Sequence, residues 1–85
     1  MKIFYTKKFE REYKKLSKEI KLKVEARESI FRRNPYAPTL KTHKLSGELK
    51  DFWSFSVDFK YRIVFEFIED GNIFFHSVGD HDIYR

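Results

Sequence analysis

Residues 53–78 of the chain read WSFSVDFKYRIVFEFIEDGNIFFHSV, and their pattern is the strongest indication of the fold. In its first part, every second residue from Trp53 to Phe59 is apolar and the residues between them are polar. Such alternation is typical of a strand with one buried face. A tight connection at 58–61 and an Asp-Gly turn at 69–72 separate two further apolar runs, 61–68 and 73–78. The stretch therefore predicts a β-meander of three strands.

In the first third of the chain, most of the apolar residues recur with the spacing of a helix rather than of a strand. Residues 2–5 (KIFY) predict a short strand, and Thr6 and Ser17 are placed to cap two helices. The apolar residues of these helices recur at helical spacing and are Phe9, Tyr13, Leu16, Ile20, Val24, Ile30 and Phe31. Asn34-Pro35 and Pro38 end the second helix. The predicted fold is α+β, with an N-terminal strand, two antiparallel helices and a C-terminal antiparallel β-meander that the helices cover on one face.

The chain has 85 residues, of which 19% are aromatic and none is cysteine. We expect a single domain, residues 1–85, in which the aromatic side chains fill the core. The absence of cysteine excludes disulfides and thiolate sites and is compatible with a reducing compartment. No apolar run is long enough for a signal peptide or a membrane span. We therefore expect a cytoplasmic protein that does not associate with membranes.

Charge is distributed unevenly along the chain, whose net charge is +5. Residues 1–50 hold 15 basic and 6 acidic side chains, whereas residues 51–85 hold 3 and 7. A basic surface attracts polyanions, above all phosphate backbones. Two lysine-rich helices that face water explain the charges equally well. Arg27 interrupts the apolar stripe of the second helix. We interpret it as a side chain whose methylene groups cover the core while its guanidinium faces water.

One candidate for chemistry is His43, in the segment THKLSGELKDFWSF (42–55) between the helices and the meander. Lys41, Lys44 and Lys50 surround it, and neighbouring cations favour the neutral imidazole. A neutral imidazole can act as a base or a hydrogen-bond acceptor. The alternative is an exposed loop histidine without a chemical role.

A second candidate lies in the final residues SVGDHDIYR (77–85). Asp80 and Asp82 flank His81 and favour its protonated form, which suits a general acid. Tyr84 can stack on a nucleobase or hold a phosphate through its hydroxyl. The alternative is a frayed tail in which Tyr84 packs on the sheet edge.

Arg62 is one of three basic residues after position 50. On the predicted meander it shares a face with Glu66, and a surface salt bridge between the two is one interpretation. The other is a phosphate clamp, because a guanidinium binds phosphate oxygens through two parallel hydrogen bonds.

Several classes of site have no motif in this sequence. It contains no HExxH motif, no Cys/His cluster and no Walker-type glycine loop, so we expect neither a metal nor a cofactor. Ser54 and Ser56 lie on a predicted strand without a glycine elbow, which argues against a serine hydrolase. His76 lies in the middle of a predicted strand, and we interpret it as structural.

Taken together, these features resemble the RelE/ParE superfamily of bacterial and archaeal toxins over nearly the whole chain. The resemblance rests on the order of elements and on the segments THKLSGELKDFWSFSV, YRIVFEF and SVGDHDIYR. The H-x-L-x-G element followed by a Y-R-[IL]-[VI]-[FY] strand is typical of the superfamily. The G-x-H-x-x-[YF]-like end is most similar to the YafQ, YoeB and RelE branches, which are ribosome-dependent mRNA interferases.

This resemblance implies a microbial RNase-like fold that cleaves mRNA in the ribosomal A site without a metal. It assigns His81 as the acid, His43 as the base or a ligand of the 2′-OH, and Arg62 as the residue that stabilises the phosphorane. It assigns Tyr84 to stacking or positioning the substrate, and it implies a partner antitoxin protein. It also implies that lysines hold RNA phosphates, namely Lys41, Lys44 and Lys50.

The sequence departs from the YafQ pattern around the first hairpin of the meander. Where YafQ has a further histidine and aspartate, this chain has Ser56 and Lys60. His43 and Lys60 therefore compete for the role of base, and Asp58 is a third candidate. Two other functions on the same fold stay open, a ParE-type toxin that inhibits DNA gyrase and a binding module without catalysis.

Overall fold

The computed structural model describes residues 1–80. Two helices, α1 (Lys7–Lys14) and α2 (Lys18–Arg33), follow a first strand β1 (Ile3–Tyr5). Four more strands complete the order, β2 (His43–Lys44), β3 (Trp53–Ser56), β4 (Arg62–Phe67) and β5 (Ile73–Gly79). Both helices begin as predicted, because the Thr6 and Ser17 side chains accept the backbone N–H groups of Phe9 and Ile20. The predicted α+β class is confirmed.

All five strands form one sheet in the order β1-β5-β4-β3-β2. β1 runs parallel to β5, and the other neighbouring pairs are antiparallel. The sequence did not predict β2, which has only two residues and carries no alternating pattern. The Asp-Gly turn between β4 and β5 is confirmed, since Asp70 and Gly71 adopt the positive φ angles of 60° and 72° that such a turn requires.

The core lies between the helices and one face of the sheet. Phe31 of α2 is fully buried at the centre of this core. The centroid of its ring lies 4.8 to 5.5 Å from the ring centroids of Phe55, Phe65 and Phe75. The alternation in 53–67 thus sends its aromatic residues toward α2, as the pattern predicted. We call the opposite side of the sheet the second face.

The turn that ends β3 corrects one detail of the sequence prediction. The apolar alternation extends to Phe59, but β3 ends at Ser56 and the Phe59 side chain is 90% exposed, within the tight connection that the sequence predicts at 58–61. The cause is Asp58, whose carboxylate accepts the backbone N–H groups of Lys60 and Tyr61 and so forms a turn.

Helix α1 protects the edge of β5 beyond the end of β1. The Thr6 hydroxyl donates to the carbonyl of His76, and the Glu12 carboxylate accepts from the Ser77 hydroxyl and the Val78 N–H. Backbone groups on a sheet edge need such partners, because an unpaired strand invites association. These bonds fix the start of α1 beside the middle of β5.

Arg27 also differs from its predicted environment. Its guanidinium donates to the hydroxyl and the carbonyl of Thr39 rather than extending only into water. No helix within residues 1–80 is both long enough and apolar enough to cross a membrane.

Candidate active site

The second face carries a row of residues that crosses four strands. His43 of β2 lies opposite Ser54, Ser54 opposite Val64, and Val64 opposite Ser77 of β5. Arg62 belongs to the next row, between Ser56 and Gly79. From strand spacing and residue rise, the Cα atoms of His43 and Arg62 are roughly 12 Å apart. The structure therefore places His43 and Arg62 on one face of the sheet. Their backbones are far enough apart for part of a ligand to lie between them.

His43 is exposed, and its ring has a defined orientation. Its Nδ1 atom lies 3.0 Å from the carbonyl oxygen of Lys41. A carbonyl oxygen only accepts hydrogen bonds, so Nδ1 carries the proton. In the neutral ring Nε2 then holds the lone pair. A ring held in this tautomer is suited to accept a proton from a substrate hydroxyl.

Arg62 caps the hairpin between β3 and β4. Its Nη1 atom donates to the carbonyls of Asp58 and Tyr61 and to the Ser56 hydroxyl, and its Nη2 atom donates to the carbonyl of Phe59. The predicted alternative of an Arg62–Glu66 salt bridge is wrong, because the guanidinium turns toward the hairpin. A guanidinium has five N–H donors, so these contacts leave capacity for a further anionic acceptor.

Asp58, the third candidate for the base, is occupied in supporting this turn. Burial raises the pKa of its carboxyl, but the N–H groups of Tyr61 and Lys60 and the ammonium of Lys23 outweigh burial and hold the pKa below its usual value. The Lys23 Nζ atom lies 3.4 Å from the carboxylate. A carboxylate with a lowered pKa is a weaker base, which argues against a catalytic role for Asp58.

We predict that Asp58→Asn destabilises the protein at pH 7 and that this loss shrinks in acid. The carboxyl has a lower pKa in the folded protein than in the unfolded chain, where it is about 3.9. Its contribution is therefore present above about pH 4 and is lost as the pH falls through the folded pKa. Urea unfolding at pH 7 and pH 3 measures the effect, with Asp51→Asn at an exposed position as the control. An equal loss at both pH values would contradict the assignment.

The predicted lysines are not all on the face that carries His43. Lys44 follows His43 directly along β2, so its side chain points to the opposite side of the sheet edge. Lys41 and Lys50 lie in exposed loops on either side of β2. Lys60 is exposed at the hairpin tip, with its Nζ atom 5.6 Å from the centre of the Tyr61 ring.

His76 and Glu66 form a hydrogen-bonded pair on the second face that the sequence does not predict. Between Val64 and Phe65 of β4 the register with β5 shifts by one residue, so β5 contains a bulge at His76. A bulge turns two successive side chains to one face, and it places both His76 and Ser77 on the second face. There the His76 Nε2 atom lies 3.0 Å from the Glu66 carboxylate. No feature of the sequence marks the bulge, because FFHSVG reads as a regular strand.

His81 and Tyr84 lie outside the described residues. The strand that leads to them ends at Gly79, directly opposite Arg62. His81 follows Gly79 by two residues in the sequence.

A cavity of about 440 Å³ lies on the helix side, between β1, α1 and α2. Burial, together with a hydrogen bond to Glu28, raises the pKa of Tyr5 in its wall to about 12. Three carboxylates line this cavity and only one lysine does, namely Glu10, Glu25, Glu28 and Lys14. Such a lining disfavours an anionic ligand such as a phosphate.

No family model and no curated protein matches the chain. Solved structures match nearly its whole length. The YoeB/ParE toxin from Agrobacterium tumefaciens superposes with a TM-score of 0.81 at 20% identity, over 95% of this chain and 99% of that chain. YafQ from E. coli superposes with a TM-score of 0.80 at 19% identity, over 96% of this chain and 94% of that chain. YafQ in the E. coli DinJ-YafQ toxin-antitoxin complex superposes with a TM-score of 0.77 at 19% sequence identity, over 95% of this chain and 92% of that chain. The chain therefore has the α+β fold of the RelE/ParE-type toxins.

Proposed function

We propose that this protein is the toxin of a toxin–antitoxin pair and that it cleaves mRNA on the ribosome. The observation that carries the proposal is the position of His43 and Arg62 on one face of the sheet, with β5 ending opposite Arg62. The fold shared with YoeB and YafQ supports it.

The proposed reaction needs no metal. A base removes the proton from an RNA 2′-OH, and the 2′ oxygen attacks the adjacent phosphorus. The bond from phosphorus to the 5′ oxygen then breaks, and an acid protonates the leaving oxygen. The products are a 2′,3′-cyclic phosphate and a 5′-OH end. The chemistry requires a base, a cation at the phosphate and an acid.

His43 is the better candidate for the base. The bond from Nδ1 to the Lys41 carbonyl leaves Nε2 as the basic atom. Lys60, the competing candidate, is exposed at the hairpin tip, where its side chain is a compact and strongly hydrated point charge. Lys60 then contributes positive charge, as Lys41 and Lys50 do for RNA phosphates.

Arg62 takes the role of the cation at the phosphate. The hairpin carbonyls that it binds hold its guanidinium in place before substrate arrives, and a positioned charge stabilises a developing phosphorane without reorganisation. In this proposal His81 is the acid and Tyr84 positions the substrate.

The proposed partner is an antitoxin protein that covers the second face and thereby blocks access of RNA. The fold shared with YafQ of the DinJ-YafQ toxin-antitoxin complex supports a partner of this kind. No cofactor has a role in the proposal.

Primer extension on a reporter mRNA in a ribosome-containing translation reaction tests this function. We expect site-specific cuts by the wild type and a loss of at least about 100-fold in His43→Ala and His81→Ala, because general acid–base groups contribute about 10²–10⁴. Lys60→Ala should keep most of the activity if His43 is the base.

Two outcomes of this test would contradict the proposal. Absence of cuts together with inhibited DNA supercoiling in a parallel gyrase assay would assign the protein to the ParE type. Absence of both activities would leave a binding module without catalysis.

A further inference from the structure

A cavity of about 340 Å³ lies on the second face, next to the candidate active site. This volume is near the lower end of the range for small-molecule sites. Its walls come from the loop before β3, the centre of the sheet and the start of α1, namely Leu49, Phe52, Val64, His76, Ser77, Thr6 and Lys8. Apolar walls with a few polar groups are typical of a small-molecule site, and the rings of Phe52 and His76 in these walls are surfaces on which a flat ring can stack.

The wall formed by His76 has a fixed geometry. The rings of Phe52 and His76 form a T-shaped pair with their centroids 4.8 Å apart, and the centroid of the Phe74 ring lies 5.3 Å from that of the imidazole at an interplanar angle of 32°. The Glu66 carboxylate accepts a hydrogen bond from Nε2 at 3.0 Å. Because a carboxylate accepts, Nε2 carries the proton, and Nδ1 of the neutral ring is an acceptor.

The two hydroxyl groups of the cavity wall are also acceptors. The Ser77 hydroxyl gives its proton to Glu12, so its oxygen can only accept from a ligand. The Thr6 hydroxyl gives its proton to the His76 carbonyl and accepts from Phe9. A ligand that fits must therefore supply hydrogen-bond donors from a flat ring. Lys8 adds a cation for an attached phosphate.

The cavity adjoins the residues of the proposed reaction. Val64 in its wall belongs to the same row as His43, and it follows Arg62 by two residues along β4. The spacing between Arg62 and Val64 is roughly 7 Å along the strand. A single strand of RNA with one phosphate at Arg62 can thus place a neighbouring base over Val64.

We propose that this cavity is a specificity subsite that binds one unpaired nucleobase of the substrate RNA. The base stacks on the ring of Phe52, and the hydrogen-bond acceptors of His76 and Ser77 select for a base with an exocyclic amino group. Adenine, cytosine and guanine carry that group, whereas uracil lacks it. The inference rests on the proposed function, because it names the substrate group recognised beside the proposed site of cleavage.

The test compares cut sites on a ribosome-bound reporter mRNA for the wild type, Phe52→Leu and His76→Phe. Phe52→Leu should slow all cuts about tenfold, since the variant loses the aromatic ring on which the base stacks. His76→Phe keeps a ring but removes the acceptor, so cuts beside uracil should rise relative to cuts beside the amino-bearing bases. The control Phe67→Leu changes a half-buried phenylalanine on the helix side and should leave rate and pattern unchanged.

Melting temperatures show whether each variant is folded, and only folded variants are compared. If folded Phe52→Leu and His76→Phe cut with the rate and pattern of the wild type, the subsite is refuted while the proposed function stands. If Phe52→Leu weakens only the binding of a partner polypeptide, the cavity is a protein contact and the subsite is again refuted. Absence of cuts by the wild type itself would refute the proposed function.

Discussion

Phe31→Ala should lower the free energy of unfolding by about 3–5 kcal/mol. The Phe31 ring is fully buried and contacts three other phenylalanine rings at 4.8 to 5.5 Å. Truncation of a buried phenylalanine costs about 3–5 kcal/mol. A domain of this size has a total stability of about 4–13 kcal/mol, so the loss removes a large part of it. Urea unfolding followed by circular dichroism measures the change.

Phe59→Ala is the matched control for this prediction. Its side chain is 90% exposed at the tip of the hairpin, and surface substitutions usually change stability by less than about 0.5 kcal/mol. An equal loss of stability in the two variants would show that the core is placed wrongly.

Arg62→Ala should reduce cleavage of mRNA about 10²–10³-fold, the usual effect of removing one preorganised donor at a developing anion. It should also reduce stability by about 1–3 kcal/mol, because the carbonyls of Asp58, Phe59 and Tyr61 lose a charged donor. The cleavage rate at saturating ribosome concentration and the melting temperature are measured on the same preparation.

Arg27→Ala separates the two effects. Arg27 is also partly buried and also donates to a carbonyl, but it lies on α2, on the helix side of the sheet. We expect a comparable loss of stability with cleavage retained. If Arg27→Ala lowers the cleavage rate as much as Arg62→Ala, then instability explains both effects and Arg62 has no role at the phosphate.

Much of the fold could be predicted from the sequence because its local signals agree. The caps at Thr6 and Ser17, the alternation in 53–67 and the Asp-Gly turn each have a local physical cause. The position of β1 beside β5 and the pairing of β2 with β3 could not be predicted. Both depend on contacts between residues far apart in the chain, which periodicity does not encode.

The candidate site was only partly predictable for the same reason. His43 and Arg62 could be named from the resemblance, but only the register shows that they share a face. The bulge in β5 brings His76 to Glu66 and to the cavity, although the sequence interpretation of His76 was structural. The engagement of Arg62 with the hairpin carbonyls depends on the turn that Asp58 forms.

In the proposed function, the second face catalyses attack of an RNA 2′-OH on the adjacent phosphate. The most direct test replaces one nucleotide of a reporter mRNA by its 2′-deoxy form on the 5′ side of a mapped cut. We expect that the wild-type protein no longer cuts there, while cuts elsewhere in the same message persist as an internal control. A cut that persists at the deoxynucleotide would contradict it.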